Sequence, residues 1–236
     1  MFNKIAMLKF LSLLSLFMLC LIPPAFSDEN LCAIETSYYE RKFEIQHSLL
    51  TAISVVESGK WSLEKQANTA WPWTVNAEGQ GMFFASKQEA IDAVKKLQAK
   101  GIESIDVGCM QINLKYHPDA FKSLEEAFSP SANVAYGASF IKKLYEQYGS
   151  WYVAAKHYHS SLDEKNVVYG NKILAAFDNL TEGDKALEAK HSTFKQSAKK
   201  DKFKKEADNY RARMLDKYMK AKEQKMSGTA KKNGSV

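Results

Sequence analysis

The segment LLTAISVVESGKW places an acidic residue, Glu57, on the apolar side of a predicted helix. At about 100° per residue, Glu57 falls between Ile53 and Leu50, whereas Ser54 and Ser58 take the opposite side. Burial among apolar side chains raises the pKa of a carboxyl group, because it penalises the charged form. A carboxyl group that keeps its proton near neutral pH can act as a general acid. The alternative is a helix-end carboxylate that reaches solvent or pairs with a nearby lysine.

Helix start and stop signals surround this segment and recur along residues 31–177. They consist of capping residues ahead of an apolar repeat with helical spacing, and a glycine behind it. They predict further helices and a compact, mainly α domain. The signal residues are Ser86, Ser129 and Ser150 at the starts and Gly59, Gly101 and Gly149 at the ends. At Gly59, behind the helix of Glu57, we expect the left-handed conformation that glycine adopts easily.

One segment, WPWTVNAEGQGMFFAS, has the composition of strands rather than of a helix. Aromatic and β-branched residues stand on both sides of a glycine-containing turn, which is a hairpin signal. We therefore expect a small β-hairpin between the helix of Glu57 and the helix that starts after Ser86.

Residues 1–27 have the pattern of an export signal. Lys4 and Lys9 precede an apolar run, and small residues stand before a predicted cleavage point after Ser27. The apolar run is too short and wrongly flanked for a comfortable membrane span. We therefore expect a mature chain that starts at Asp28, is exported and is soluble.

Two cysteines, Cys32 and Cys109, remain if Cys20 is removed with the signal. An oxidising compartment permits a bridge between them, and two buried thiols are an equally good interpretation. The sequence contains no CxxC or HExxH motif and no histidines clustered at ligand spacing. We therefore expect neither a metal site nor a cofactor.

The net charge of +6 is unevenly distributed. Residues 182–236 contain 16 lysines and arginines against 8 acidic residues, whereas acidic residues slightly outnumber basic ones before residue 182. Apolar residues recur at helical spacing in this tail, at Phe203, Ala207, Tyr210, Met214 and Tyr218. We predict a solvated, partly helical extension. The alternative is a basic amphipathic arm that binds an anionic surface or a partner, and nucleic acid is not expected as a partner of an exported protein.

Four separate segments resemble, in order, the motifs of the SLT-type lytic transglycosylases, including the small members associated with secretion and conjugation systems. The segments are VVESG, DVGCMQIN, NVAYGASF and AAKHYHS, and the resemblance covers about residues 31–177. Together with the composition, it divides the chain into a signal peptide at 1–27, a lysozyme-like domain with a small β-hairpin at 28–181 and a basic tail, helical or disordered, at 182–236.

The resemblance implies that the protein cleaves the β-1,4 bond between N-acetylmuramic acid and N-acetylglucosamine in bacterial peptidoglycan. Glu57 matches the family's catalytic acid and base. The C6 hydroxyl of the muramic acid attacks the anomeric carbon, so no water has to be activated. Rival interpretations are a hydrolase of the same fold and a murein-binding assembly protein without turnover. An envelope-spanning secretion or conjugation machine is a candidate partner, and the expected location is periplasmic or extracellular.

The resemblance also assigns roles to the residues around Glu57. Tyr158 matches the tyrosine whose hydroxyl orients the catalytic glutamate, and Ser58 matches a serine that contacts the substrate. Gln111 is expected to bind sugar amides or the peptide stem. Met110 is expected to pack on a sugar face or, more often, in the core.

Further residues match the family only in part. Asn113 stands where many relatives carry a methionine, and we expect it to contact the substrate. Of the hairpin aromatics, one tryptophan, Trp73, is expected to contact glycan, while the others form core. His159 replaces the asparagine that usually follows the family's tyrosine. Asn133 and Gly137 match the N-x-x-x-G helix, in which the asparagine is expected to be structural.

Asp106 is the nearest candidate for a second catalytic carboxylate, which glycosidases of the two-carboxylate kind require. It precedes the segment that is expected to line the cleft. Its more common role would be that of a loop residue that binds nearby backbone amides. We therefore expect Glu57 to act without a second carboxylate.

Overall fold

The computed structural model describes residues 28–159, 163–191, 202–210, 212–214, 216 and 220. The predicted signal peptide and most of the predicted tail therefore lie outside the described residues. Within the described residues, no helix is both long enough and apolar enough to span a membrane.

The described part of the protein is mainly α-helical, as the capping signals predict. Its helices are α1 (Asp28–Lys42), α2 (Leu49–Ser58), α3 (Lys87–Ala99), α4 (Leu124–Ala127), α5 (Pro130–Tyr148), α6 (Trp151–Lys156) and α7 (Asp163–His191). Residues 202–210 are helical as well.

The predicted helix starts at Ser86, Ser129 and Ser150 are confirmed, and two of them have side-chain capping contacts, whereas the side chain of Ser129 makes no capping hydrogen bond with α5. The hydroxyl oxygens of Ser86 and Ser150 accept hydrogen bonds from the third residues of α3 and α6, at 3.3 Å in both cases. Pro130 lies in the first turn of α5, where its missing N–H leaves no hydrogen bond unmade.

Short strands form two antiparallel sheets in the described part of the chain. β1 (Gly59–Ser62) pairs with β2 (Ala67–Ala70), and the second sheet has the order β4 (Gln80–Phe83), β3 (Thr74–Ala77), β5 (Ile105–Val107), β6 (Ile112–Asn113). The predicted hairpin is β3 with β4. Its two turn residues, Glu78 and Gly79, have φ angles of 53° and 77°, as a tight hairpin turn requires.

Gly59 follows α2 for a different reason from the predicted one. Its φ of −63° and ψ of 124° are extended, so the prediction of a left-handed residue is wrong. A Cβ atom at this position would lie 2.3 Å from the carbonyl oxygen of Val55. Glycine thus lets the chain pass directly from α2 into β1, two residues after Glu57.

The described residues form two hydrophobic cores, one among α1, α2, α5, α6 and α7 and the other between the four-stranded sheet and α3. Leu50 and Ile53 of α2 are fully buried in the first core. Ser54 and Ser58, on the opposite side of α2, are buried as well, and both hydroxyls donate to the carbonyl oxygen of Cys109, at 2.9 and 2.8 Å. The polar side of α2 therefore faces the loop between β5 and β6 rather than solvent.

Cys32 and Cys109 form a disulfide bond, which decides between the two interpretations of these cysteines. Their Cα atoms are 5.6 Å apart, and their positions in the sequence differ by 77. The bond connects α1 to the loop between β5 and β6, in which Met110 and Gln111 follow.

Residues 202–210 pack onto the domain, although the sequence predicts a solvated extension from residue 182 onwards. Helix α7 runs across the predicted boundary and ends at His191. Phe203 and Ala207 are buried in the first core. The expectation of a solvated extension is therefore corrected for residues 202–210.

Candidate active site

A groove of about 780 Å³ lies between the four-stranded sheet and α5. Residues of β3, β5 and β6 line one side, and residues of α5 and of the segment after α6 line the other. Glu57, near the end of α2, borders the same groove. The polar and aromatic side chains that line it include Asp106, Gln111, Asn113, Tyr116, His117, Tyr158 and His159.

The carboxyl group of Glu57 is largely withdrawn from solvent, with 10% of its side chain exposed. Burial raises its pKa from 4.5 to about 7, because the charged form loses its hydration. A hydrogen bond from Tyr169 and the charge of Lys172 oppose this increase, whereas the charge of Asp106 adds to it. Near pH 7 a substantial fraction of Glu57 therefore holds a proton, as a general acid must.

The tyrosine that binds Glu57 is Tyr169 of α7, whose hydroxyl donates to Oε1 of the carboxyl group. Tyr158, which was predicted for this role, donates instead to the carbonyl oxygen of Met110 at 3.1 Å. The prediction that the hydroxyl of Tyr158 binds Glu57 is therefore corrected. Burial and the charge of Glu57 raise the pKa of both hydroxyls well above the ordinary value for tyrosine, so both act as hydrogen-bond donors.

Three polar side chains form a row across the groove face of the sheet. Asn76 on β3 is the register partner of Asp106 on β5, which is in turn the partner of Asn113 on β6. The amide groups of Asn113 and Asn76 donate to the two carboxylate oxygens of Asp106, at 2.7 and 3.4 Å. Asp106 is thus a strand residue bound by side-chain amides, not the predicted loop residue bound by backbone amides. Burial raises its pKa, and the bond from Asn113 opposes the increase.

The loop between β5 and β6 is held against α5 by the side chain of Asn133. That side chain accepts from the N–H of Met110 at 2.8 Å and donates to the carbonyl oxygens of Val107 and Ala127 at 3.0 Å. A Cβ atom on Gly108, whose φ is 78°, would lie 2.5 Å from the amide nitrogen of Asn133. Asn133 is therefore structural, as predicted, and packing explains the glycine of the loop.

Gln111 lines the groove from a left-handed backbone position with a φ of 46°. Its amide nitrogen donates to the carbonyl oxygens of Thr74 and Gly108, at 3.2 and 2.9 Å. These bonds hold the amide group between β3 and the loop. Met110, by contrast, is fully buried in the first core, which is the more common of its two predicted roles.

Asn113 lines the groove and also shapes the segment behind β6. Its side-chain oxygen accepts from the backbone N–H groups of Lys115 and Tyr116, at 3.0 and 3.1 Å. This turn leaves Tyr116 at the groove with 72% of its surface exposed. An exposed aromatic ring in a groove offers an apolar face with a polar tip to a ligand.

Two residues that were expected to contact substrate lie away from the groove. Ser58 is 1% exposed, and its hydroxyl is engaged by the carbonyl oxygen of Cys109. Trp73 is 7% exposed in the second core, and its indole N–H donates to Asp28 at 3.1 Å. Both expectations are corrected: Ser58 supports the loop between β5 and β6, and Trp73 packs beneath the sheet.

His159 lies beside Glu57. Its Nδ1 atom is 3.9 Å from Oε1 of the carboxyl group, and its ring stacks on that of Tyr169 with centroids 5.0 Å apart. The imidazole side chain is 55% exposed.

The family model of the Transglycosylase SLT domain matches residues 36–173. The chain belongs to this family. SLT domains are lysozyme-like and act on peptidoglycan, in agreement with the mainly α fold and the groove described above. A comparison with curated proteins and another with solved structures gave no match. The matched SLT domain contains Glu57, Asp106, Tyr158 and Tyr169, and it ends before residues 202–210.

Sequence reasoning missed Tyr169 and Tyr116 at the site of this SLT domain. Tyr169 lies outside the four motifs, but it stands four residues before Ile173 and eight before Phe177 on the buried stripe of α7. A tyrosine within an apolar stripe needs a partner for its hydroxyl. This pattern could have identified Tyr169 as a candidate site residue. Tyr116 has no comparable pattern around it.

Proposed function

We propose that this SLT domain is a lytic transglycosylase that cleaves the β-1,4 bond between N-acetylmuramic acid and N-acetylglucosamine and leaves 1,6-anhydro ends. The observation that carries the proposal is the carboxyl group of Glu57, which borders the groove, is 10% exposed and has a pKa of about 7. Such a group can protonate a glycosidic oxygen near neutral pH.

Glu57 serves first as the acid and then as the base. Tyr169 occupies Oε1, so Oε2 is the oxygen that carries the proton to the glycosidic oxygen. The bond between the glycosidic oxygen and the anomeric carbon breaks, and the N-acetylglucosamine leaves with the proton on that glycosidic oxygen. The C6 hydroxyl of the muramic acid then bonds to the anomeric carbon, and its proton passes to Glu57. Glu57 thus starts the next cycle in its protonated form.

The residues along the groove supply binding and orientation. The amide nitrogen of Gln111 is engaged by two carbonyl oxygens, so its amide oxygen is the atom that accepts from a sugar amide or hydroxyl. Asn113 places the exposed ring of Tyr116 where a sugar ring can stack on it. Tyr158 borders the acid and fixes the carbonyl group of Met110.

Mass spectrometry of muropeptides released from purified sacculi tests the proposal. We expect products that carry a 1,6-anhydro end and are one water lighter than the products of hydrolysis. Reducing ends alone would contradict the transglycosylase reaction. If no muropeptides are released, the proposed function itself is wrong.

The position of Asp106 supports one alternative to the transglycosylase reaction, which is hydrolysis of the same bond in the same groove. Its carboxylate acts electrostatically on Glu57, and a second carboxylate near the acid can activate a water molecule. However, its two oxygens already accept hydrogen bonds from Asn113 and Asn76, which compete with the binding of a water molecule. The transglycosylase reaction needs no such base and is therefore preferred. The product analysis separates the two reactions.

The pKa of Glu57, about 7, sets the expected pH dependence. The acid must be protonated before the reaction, and a carboxyl group loses its proton as the pH rises through its pKa. We therefore expect kcat/KM to be level below about pH 6 and to fall about tenfold per pH unit well above pH 7. Initial rates of muropeptide release measure this, with circular dichroism at each pH as the control for folding. A level profile between about pH 7 and pH 9 would contradict the assignment.

We further propose that the domain acts in the periplasm or outside the cell, where peptidoglycan lies. The bond between Cys32 and Cys109 supports this location, because disulfides persist in oxidising compartments. The signal peptide at 1–27, the service to a secretion or conjugation machine and the binding of anionic surfaces by the basic tail remain predictions.

A further inference from the structure

Residues 202–210 lie beyond the matched SLT domain, yet they contact both helices that lead to residues around Glu57. Phe203 is 1% exposed, and the centroid of its ring lies 4.4 Å from that of Phe177 on α7 and 5.8 Å from that of Tyr152 on α6. Lys204 forms an ion pair with Asp178 of α7 at 3.2 Å. This segment therefore joins α6 to α7.

Polar contacts tie the same segment to the beginning and the end of α6. Oε2 of Glu206 accepts from the hydroxyl of Ser150 at 2.7 Å and from the N–H of Tyr152 at 3.4 Å. The hydroxyl of Tyr210 accepts from the ammonium group of Lys156, a residue that is only 1% exposed. Because a buried charge needs hydrogen-bond partners, the contact with Tyr210 favours the docked position of the segment.

Gly170 connects this arrangement to the tyrosine that binds Glu57. A Cβ atom on Gly170 would lie 3.1 Å from Cγ of Lys156 and 3.3 Å from the hydroxyl of Tyr152. Helices α6 and α7 therefore meet in close contact at the residue next to Tyr169. Residues 202–210 also contact Lys156 and Tyr152. A shift of α6 against α7 would therefore act on the part of α7 that carries Tyr169.

We propose that residues 202–210 are a positioning element of the active site, which clamps α6 to α7 and so holds the hydroxyl of Tyr169 against Glu57. The catalytic consequence rests on the proposed function, but the clamp can be tested without turnover. The proposal also explains the helical spacing of Phe203, Ala207 and Tyr210. Side chains at these intervals lie on one face of a helix, and here that face packs on the domain.

The titration of the Glu57 carboxyl group in the full chain tests the clamp. Its ¹³C signal, assigned by its loss in Glu57→Gln, is followed through pH in the wild type, in Tyr169→Phe and in Phe203→Ala. The hydrogen bond from Tyr169 stabilises the carboxylate, so weakening this bond raises the pKa of Glu57. We expect both variants to shift the midpoint upward. We also expect Phe203→Ala to lower kcat by about tenfold, because small misplacements of catalytic groups are costly.

Three further variants complete the design. Lys205→Ala changes an exposed residue of the same segment and should leave the midpoint unchanged. Glu206→Gln is a milder change that should shift the midpoint in the same direction, and it replaces Phe203→Ala if that variant does not fold. Phe203→Ala introduced into Tyr169→Phe should add no further shift, because both act through one hydrogen bond.

Unchanged or lowered midpoints in the segment variants would overturn the proposal, and so would a Tyr169→Phe midpoint equal to that of the wild type. The titration does not depend on turnover. A chain that shows the expected shifts but releases no muropeptides would therefore retain the clamp and contradict the proposed function.

Discussion

Glu57→Gln is expected to lower kcat for murein cleavage by about 10²- to 10⁴-fold, the range typical of a lost general acid. Glutamine has nearly the same size and can still accept the hydrogen bond from Tyr169, so the groove should keep its shape. It has no acidic proton for the glycosidic oxygen and cannot take the proton of the C6 hydroxyl. The measurement is the rate of muropeptide release from purified sacculi at about pH 6, where the wild type is protonated.

Glu64→Gln is the matched control, because Glu64 is exposed between β1 and β2, close to α2 in the sequence. It should release muropeptides at the wild-type rate. Binding of sacculi by Glu57→Gln should be close to that of the wild type, because the change spares the contacts along the groove. Equal release by the wild type and Glu57→Gln would contradict the catalytic role and would favour a murein-binding protein without turnover.

The local elements of this SLT domain could be predicted from the sequence because their signals are local. Ser86 and Ser150 cap helices through bonds to residues three positions later. The turn at Glu78 and Gly79 needs only positive φ angles and two flanking strands. The other strands were not predicted, because segments as short as Ile112–Asn113 are defined by their partners rather than by their own pattern.

The candidate site could be predicted only in part, because its hydrogen bonds join residues that are far apart in the sequence. The position of Glu57 followed from the helical period of α2. Which tyrosine reaches it depends on how α7 packs against α2, and the motif around Tyr158 carries no information on that packing. Ser58 shows the same limit: its neighbours in sequence do not reveal that the carbonyl oxygen of Cys109 engages it.

The packing of residues 202–210 was missed for a compositional reason. Lysines occupy positions 202, 204 and 205, and a lysine-rich helix normally indicates a solvated face. Phe203 and Ala207 are nevertheless buried, and the ring of Phe203 packs against Tyr152 of α6 and Phe177 of α7. A few apolar residues at helical spacing are thus enough to pack this segment against α6 and α7.

The double variant Cys32→Ala, Cys109→Ala is expected to lower the free energy of unfolding by about 4 kcal/mol, because the native bond closes a long loop and restricts the unfolded chain. The two cysteines are 77 positions apart. Urea unfolding of the wild type and the double variant under oxidising conditions measures the difference. Loss of the disulfide bond should act mainly through the unfolded state, because hydrogen bonds also hold the loop between β5 and β6 in the native state.

The hydrogen bonds that hold the loop between β5 and β6 should preserve the activity of the double variant even though its stability is lower. Ser54 and Ser58 still bind the carbonyl oxygen of residue 109, and Asn133 still accepts from the N–H of Met110. Below the unfolding transition we therefore expect kcat and KM close to those of the wild type. A reducing agent should destabilise the wild type by a similar amount and leave the double variant unaffected. A loss of kcat without a loss of stability would show instead that the bond shapes the native loop of Gln111.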